Sequence, residues 1–115
     1  MPVAAELSKL QTEIHALAKK KGWWDGFEAT PDAIASRLAL IHSEVSEALE
    51  DVREHRMGLD HEMSGKPIGF PSELADVVIR CLDLAGGLGI DLFHVVKDKH
   101  AYNKTRPHRH GGKAL

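Results

Sequence analysis

The chain has 115 residues, a length that allows one modest hydrophobic core and is too short for two domains. Its formal net charge of -2 argues against a protein that coats nucleic acid or an anionic membrane. The single cysteine, Cys81, cannot form an internal disulfide, and neither a signal peptide nor a bilayer-spanning apolar segment is visible. We therefore expect a soluble, cytoplasmic, single-domain protein that has no nucleic-acid or membrane partner.

The first predicted helix is amphipathic and runs from about Val3 to the lysines before Gly22. Its apolar residues recur every three or four positions, and lysines followed by glycine are typical of a helix C-terminus. The linker that follows, residues 23–31, contains three aromatic side chains, Trp23, Trp24 and Phe27. These side chains could stack on a nucleobase, or they could close the core over the next helix.

The second helix is predicted from Pro31 to His55, with Thr30 as its N-cap. Glu44 lies at the edge of an apolar stripe that is roughly a hundred degrees wide and is expected to face the core. Glu47 and Asp51 lie further round on the same side. The apolar residues of the stripe are Ile34, Leu38, Ile41, Val45, Ala48, Leu49 and Val52.

Residues 56–71 are rich in glycine and proline and are predicted to form a long loop. The third helix, predicted from Pro71 to Leu88, is apolar around most of its circumference, so it should pack centrally beside the second helix. Its one narrow polar stripe carries four charged residues, Glu73, Asp76, Arg80 and Asp83.

A glycine-rich break precedes the fourth predicted helix, which Asp91 caps and which ends near Tyr102. Its buried side is expected to consist of Leu92, Val95 and Val96. Residues 105–115 form a basic C-terminal arm. Four residues in the fourth helix, just after it and at the start of the arm are candidate phosphate ligands, because their side chains donate hydrogen bonds: Lys99, Asn103, Lys104 and Arg106.

Two acidic pairs, Glu44 with Glu47 and Glu73 with Asp76, have the three-residue spacing that places side chains on one face of a helix. Adjacent helices would bring these four carboxylates together, and partly buried like charges need a counter-ion. Mg²⁺ or Mn²⁺ would provide it, because both prefer oxygen ligands. Either pair alone is typical of a solvated helix face, so the prediction depends on both pairs lying on adjacent apolar helices.

The motif Glu44-x-x-Glu47 followed by Glu73-Leu74-Ala75-Asp76, in a chain of four predicted helices, resembles the MazG-like nucleoside triphosphate pyrophosphohydrolases. The resemblance extends from about Trp23 to Lys113. It implies an all-α, four-helix bundle that assembles as a dimer or a dimer of dimers. It also implies that the four acids are catalytic and hold Mg²⁺, for which Mn²⁺ could substitute.

The reaction implied by the resemblance converts a (d)NTP to the (d)NMP and pyrophosphate, as in control of the nucleotide pool. Water attacks the α-phosphorus while pyrophosphate leaves, so negative charge on the triphosphate must be neutralised. The basic residues near the C-terminus would bind the phosphates. Candidate contacts to the base are Trp23, Trp24, Phe27 and His42. Which carboxylate orients the attacking water is left open by its position in the sequence.

Two other functions fit the same residues. The chain could be a non-catalytic helical dimerisation or regulatory module, with acidic stripes that are solvated or that bind a basic partner. It could also be a nucleotide sensor that binds its ligand without hydrolysing it. A discrete divalent-cation site would distinguish either nucleotide-binding function from the regulatory module.

Overall fold

The computed structural model describes residues 3–114, so Met1 and Pro2 of the N-terminus and Leu115 of the predicted arm lie outside the described residues. The chain is predominantly α-helical, which agrees with the predicted all-α class. None of the helices between residues 3 and 114 has both the length and the hydrophobicity needed to cross a membrane. The helices are α1 (Val3–Lys20), α2 (Pro31–Arg53), α3 (Phe70–Gly87), α4 (Leu92–Asn103) and a single turn, α5 (Arg109–Gly112).

The helix boundaries follow from local capping. The Thr30 side chain accepts a hydrogen bond from the Ala33 amide at 3.2 Å, and Pro31 occupies the first helical position. Helix α2 ends at Arg53, two residues before the predicted end, because His55 has a left-handed backbone with φ of 59°. Asp91 caps α4 by accepting a hydrogen bond from the His94 amide.

The predicted loop 56–71 contains a small antiparallel hairpin of two-residue strands, β1 (Asp60–His61) and β2 (Pro67–Ile68). Helix α3 begins directly after it, at Phe70, one residue before the predicted start. Gly69 joins the two with a φ of 100°, and a Cβ atom there would lie 2.1 Å from the Gly58 carbonyl oxygen. Only glycine fits this close approach of two backbone segments.

Helix α3 is central, as predicted: α1 and α2 both pack against it, and α4 contacts it at one end. Gln11 of α1 is buried and holds this end together. Its amide donates to the carbonyl oxygens of Leu82 and Ile90, at 3.2 and 2.8 Å, and its carbonyl oxygen accepts a hydrogen bond from the Leu92 amide. One side chain therefore joins α1 to α3 and to the start of α4.

The buried face of α2 differs from the prediction. The residues that α2 buries are Glu44, Ala48 and Asp51, whereas Leu49 and much of the predicted apolar stripe are about half exposed. The expected burial of α4 is also wrong for Val95 and Val96, which are exposed to a similar extent. The cause is that α2 turns the face with Glu44, Ala48 and Asp51 toward α3, which leaves the other side of the stripe, with Leu38, Val45, Leu49 and Val52, about half exposed.

Candidate metal centre

Three of the four predicted metal ligands meet between α2 and α3. One carboxylate oxygen from each of Glu44, Glu47 and Glu73 lies within 4.8 Å of the other two. Opposite oxygens around Mg²⁺ are about 4.2 Å apart, so a small movement of these side chains would let them share one ion. Glu44 is buried, Glu73 is half-buried and Glu47 is exposed. The group therefore has a protein side and a solvent side, as a cation that keeps some of its water requires.

Glu73 is the member of the group that most needs a counter-ion. Its Oε2 atom is buried and has no hydrogen-bond partner among the described residues. Burial raises the pKa of this carboxyl, and the nearby negative charges of Glu47 and Asp76 raise it further. A hard divalent cation would neutralise these charges and satisfy the free oxygen, so the donor set fits Mg²⁺ or Mn²⁺.

Asp76, the fourth predicted ligand, lies beside the group of three rather than within it. Burial and then the charge of Glu44 raise the pKa of Asp76, while Arg80 and Lys66 act in the opposite direction. Glu44 and Asp76 also line the same cavity. The structure therefore places Asp76 close to Glu44, at the side of the acid group from which a ligand would enter.

A fifth acid, Asp51, belongs to the same buried face of α2 and was not predicted as a ligand. Its Oδ1 accepts a hydrogen bond from Arg56 Nε at 2.8 Å, and its Oδ2 is buried without a partner among the described residues. The Asp51 charge contributes to the raised pKa of Glu73. A position four residues after Glu47 and seven after Glu44 is on the same helix face, and this spacing could have identified Asp51 from the sequence.

Arg80 crosses from α3 to α2. Its Nε donates to Glu44 Oε1 at 2.6 Å, and the side chain is 39% exposed. The four-residue spacing on α3 would also permit an ion pair between Arg80 and Asp76, one turn earlier. In the structure, the ion pair of Arg80 is instead with Glu44. Among the described residues, Arg80 is thus the cation that directly contacts the acid group.

A cavity of about 590 Å³ opens beside Glu44 and Asp76, and its size is typical of small-molecule sites. Its walls include apolar side chains of α1, α2 and α3 such as Ile14, Leu40 and Ile79. Cationic side chains from three parts of the chain also line it. The polar and aromatic lining includes Lys21, Trp23, Arg37, Glu44, Asp76 and Arg80.

The predicted base-contacting residues have different surroundings. Trp23 is 65% exposed and lines the cavity. Trp24 is half-buried and meets Phe27 edge-on at 4.6 Å, and the Arg37 guanidinium lies 4.1 Å from the Trp24 ring centroid. His42 is exposed. Of these four predicted residues, Trp23 is the one among the lining residues of the cavity.

The predicted phosphate ligands are not beside the acid group of the same chain. Lys99 and Asn103 line a separate cavity of about 390 Å³ on α4. Lys99 Nζ and the Arg106 guanidinium carbon lie 5.4 and 5.9 Å from the Tyr102 ring centroid. Lys104 is exposed at the end of α4. The cations that line the acid-bearing cavity are therefore Lys21, Arg37 and Arg80, which were not predicted as phosphate ligands.

Comparisons of the chain with protein-family models, with curated protein sequences and with solved structures gave no match. The site is therefore interpreted from its own residues. It combines clustered carboxylates, an adjoining cavity with an exposed tryptophan, and cationic side chains between the two. Such a set can hold a divalent cation and an anionic, aromatic ligand at the same time.

Proposed function

We propose that this protein is a Mg²⁺-dependent, MazG-like nucleoside triphosphate pyrophosphohydrolase that converts (d)NTP to (d)NMP and pyrophosphate. The observation that carries the proposal is the meeting of Glu44, Glu47 and Glu73 within 4.8 Å. A structural role alone gives no reason to gather three carboxylates when one of them, Glu73, has a buried oxygen without a hydrogen-bond partner among residues 3–114. A cation held by these oxygens and by the phosphates of a substrate would explain the arrangement.

Each part of the site has a role in this reaction. Bound Mg²⁺ would neutralise charge on the triphosphate oxygens. Glu44, Glu47, Glu73 and Asp76 would hold it, and Trp23 would stack on the base at the exposed edge of the cavity. The attacking water adds to the α-phosphorus, the bond to the β-phosphate oxygen breaks, and pyrophosphate leaves. One of the clustered carboxylates would accept the proton of that water.

Assembly into a dimer or a dimer of dimers is part of the proposal. The single chain exposes 8738 Å², whereas a compact monomer of 12.7 kDa would expose roughly 6,200 Å². The difference, roughly 2,500 Å² per chain, is the size of an extensive obligate interface. The radius of gyration of 16.6 Å, against about 13 Å for a compact domain of this length, supports the same conclusion.

One observation favours the regulatory alternative. Glu44 and Asp51 each accept a hydrogen bond from an arginine, at 2.6 and 2.8 Å, so part of the acidic face already has protein partners. A helical dimerisation module would need only these ion pairs and the exposed apolar stripe. It would not need the unpartnered Glu73 oxygen or the adjoining cavity, and we therefore prefer the enzymatic proposal.

The test is pyrophosphate release from a panel of ribo-, deoxy- and modified nucleoside triphosphates with Mg²⁺. We expect release from at least one substrate and its loss in Glu73→Ala and Asp76→Ala, with helicity unchanged. Glu50→Ala is the matched control, because Glu50 is an exposed acid on α2 outside the group. Nucleotide binding without pyrophosphate release would identify a sensor, and the absence of both would favour the regulatory module.

A further inference from the structure

Arg80 lies at the boundary between the acid group and the cavity, and it is one of the cations that line the cavity. It lies one turn after Asp76 on α3, yet its hydrogen bond goes to Glu44 on α2 at 2.6 Å. Arg80 and Glu44 both line the 590 Å³ cavity. The pair is therefore open to an incoming ligand, unlike an ion pair enclosed in a core.

The bond involves one of the five N–H donors of the guanidinium. Between residues 3 and 114, the guanidinium makes no other hydrogen bond. A guanidinium can bind a phosphate with two parallel hydrogen bonds, and it makes stronger contacts with phosphate than a neutral donor does. Arg80 thus has unused donors at the wall of the cavity that contains Trp23.

Glu44 has the complementary position. It is 7% exposed and belongs to the three-carboxylate group, so it is both a proposed cation ligand and the present partner of Arg80. A divalent cation and a guanidinium repel each other and compete for the same carboxylate. If Arg80 turns toward another anion, both oxygens of Glu44 become available to the cation.

We propose that Arg80 acts as an exchangeable counter-ion: it neutralises Glu44 in the free protein and transfers to a substrate phosphate when the triphosphate enters, which releases Glu44 to the cation. This inference rests on the proposed function and adds a substrate-binding residue to it. Phosphate binding and cation binding then promote each other through one side chain. Linkage requires that this coupling be reciprocal.

Arg80→Gln should change the two affinities in opposite directions. Mn²⁺ alone should bind about tenfold more tightly, because the competing charge is absent. Inorganic tripolyphosphate, measured in EDTA, should bind about tenfold more weakly, because the guanidinium donors are absent. An ion pair that merely holds α2 to α3 predicts weaker binding of both probes or no change. Electron paramagnetic resonance for Mn²⁺ and calorimetry for tripolyphosphate measure the two effects.

The matched control is Arg53→Gln, which removes the same charge from an exposed arginine of α2 that faces Glu50. It should leave both affinities within about twofold, as expected for an exposed ion pair. Unchanged or weaker Mn²⁺ binding in Arg80→Gln overturns the exchange, provided that the wild-type protein binds Mn²⁺. If neither protein binds Mn²⁺, the cation site of the proposed function fails together with the exchange.

If Arg80→Gln does not fold, a second variant tests the exchange. Glu44→Gln frees Arg80 and should tighten tripolyphosphate binding in EDTA several-fold more than Glu47→Gln, which removes an equal charge from a residue not bonded to Arg80. Equal effects of the two substitutions would overturn the exchange. These readouts need no turnover. A protein that passes them yet releases no pyrophosphate would retain the Arg80 exchange and lose the hydrolase proposal.

Discussion

Trp24 donates its indole N–H to Asp83 Oδ1 at 2.9 Å and so joins the linker after α1 to the polar stripe of α3. His15 of α1 shares this carboxylate, with Nδ1 2.7 Å from the same oxygen, and its ring meets Trp24 edge-on at 4.8 Å. Gly87 leaves room for the indole, because a Cβ atom there would lie 2.0 Å from it. These contacts bring Trp23, the next residue toward the N-terminus, to the cavity.

The two neighbouring tryptophans should therefore respond differently to substitution. Trp24→Phe removes the bond to Asp83 and should lower the free energy of unfolding by about 2 kcal/mol, the usual loss for a hydrogen bond to a charged group. Trp23→Phe is the matched control and should change stability by less than about 0.5 kcal/mol, because Trp23 is mostly exposed. Urea unfolding of both variants measures the difference. Equal losses would show that Trp24 is not an anchor.

What could be predicted from the sequence is largely local. The caps at Thr30 and Asp91 and the central position of α3 agree with the structure, because capping side chains and apolar periodicity act over a few residues. The three-residue spacing of the acids likewise anticipated that Glu44 and Glu73 would face each other.

The rotation of α2 and the partner of Arg80 could not be predicted in this way. The acidic face of α2 adjoins its apolar stripe, and which of them meets α3 depends on the whole surface of α3. Arg80 can reach either Asp76 on its own helix or Glu44 across the interface, and the sequence does not distinguish the two. The rotation of α2 and the partner of Arg80 both depend on tertiary packing, which a single sequence does not reveal.

The raised pKa of Glu73 makes the metal-free protein sensitive to pH. In the unfolded chain this carboxyl loses its proton near its ordinary value of 4.5, whereas in the folded chain it does so at higher pH. Between these two values the folded state binds more protons, so stability falls as pH rises and levels off above the folded pKa. Glu73→Gln abolishes this contribution, because glutamine does not titrate.

We therefore expect Glu73→Gln to equal wild type in stability near pH 4, and to exceed it by an amount that grows above pH 4.5 and becomes constant above the folded pKa, when both are measured by urea unfolding in EDTA. Saturating Mg²⁺ should reverse the order, because a ligand at a hundred times its Kd stabilises the protein by about 2.7 kcal/mol and the variant has lost a cation ligand. A stability difference that does not change with pH would contradict the assigned environment of Glu73. A variant that responds to Mg²⁺ as wild type does would contradict the ligand role.

Gly69 should be the most sensitive position of the hairpin segment. Gly69→Ala combines a left-handed backbone, with φ of 100°, and a clash with the Gly58 carbonyl oxygen, so we expect a loss of at least about 3 kcal/mol in unfolding free energy. Gly65→Ala is the comparison, because Gly65 also has a positive φ, of 90°, but has open space around it; this change should cost only about 1 to 2 kcal/mol. Similar losses in thermal or urea unfolding would mean that the close approach to Gly58 is unimportant.

The exposed apolar stripe of α2 predicts the behaviour of the protein in solution. Leu38, Val45, Leu49 and Val52 have 41–51% of their surface exposed along one helix face. Burial of such residues in a partner stabilises an assembly by roughly 25 cal/mol per Å² of apolar area. At micromolar concentration we expect a dimer or larger species by light scattering, and Leu49→Glu should shift the protein toward monomer because it would place a charge in the interface. Met63→Glu, at a fully exposed position of the hairpin segment, should leave the mass unchanged. A monomeric wild-type protein would exclude the stripe as an interface between copies and leave the excess surface unexplained.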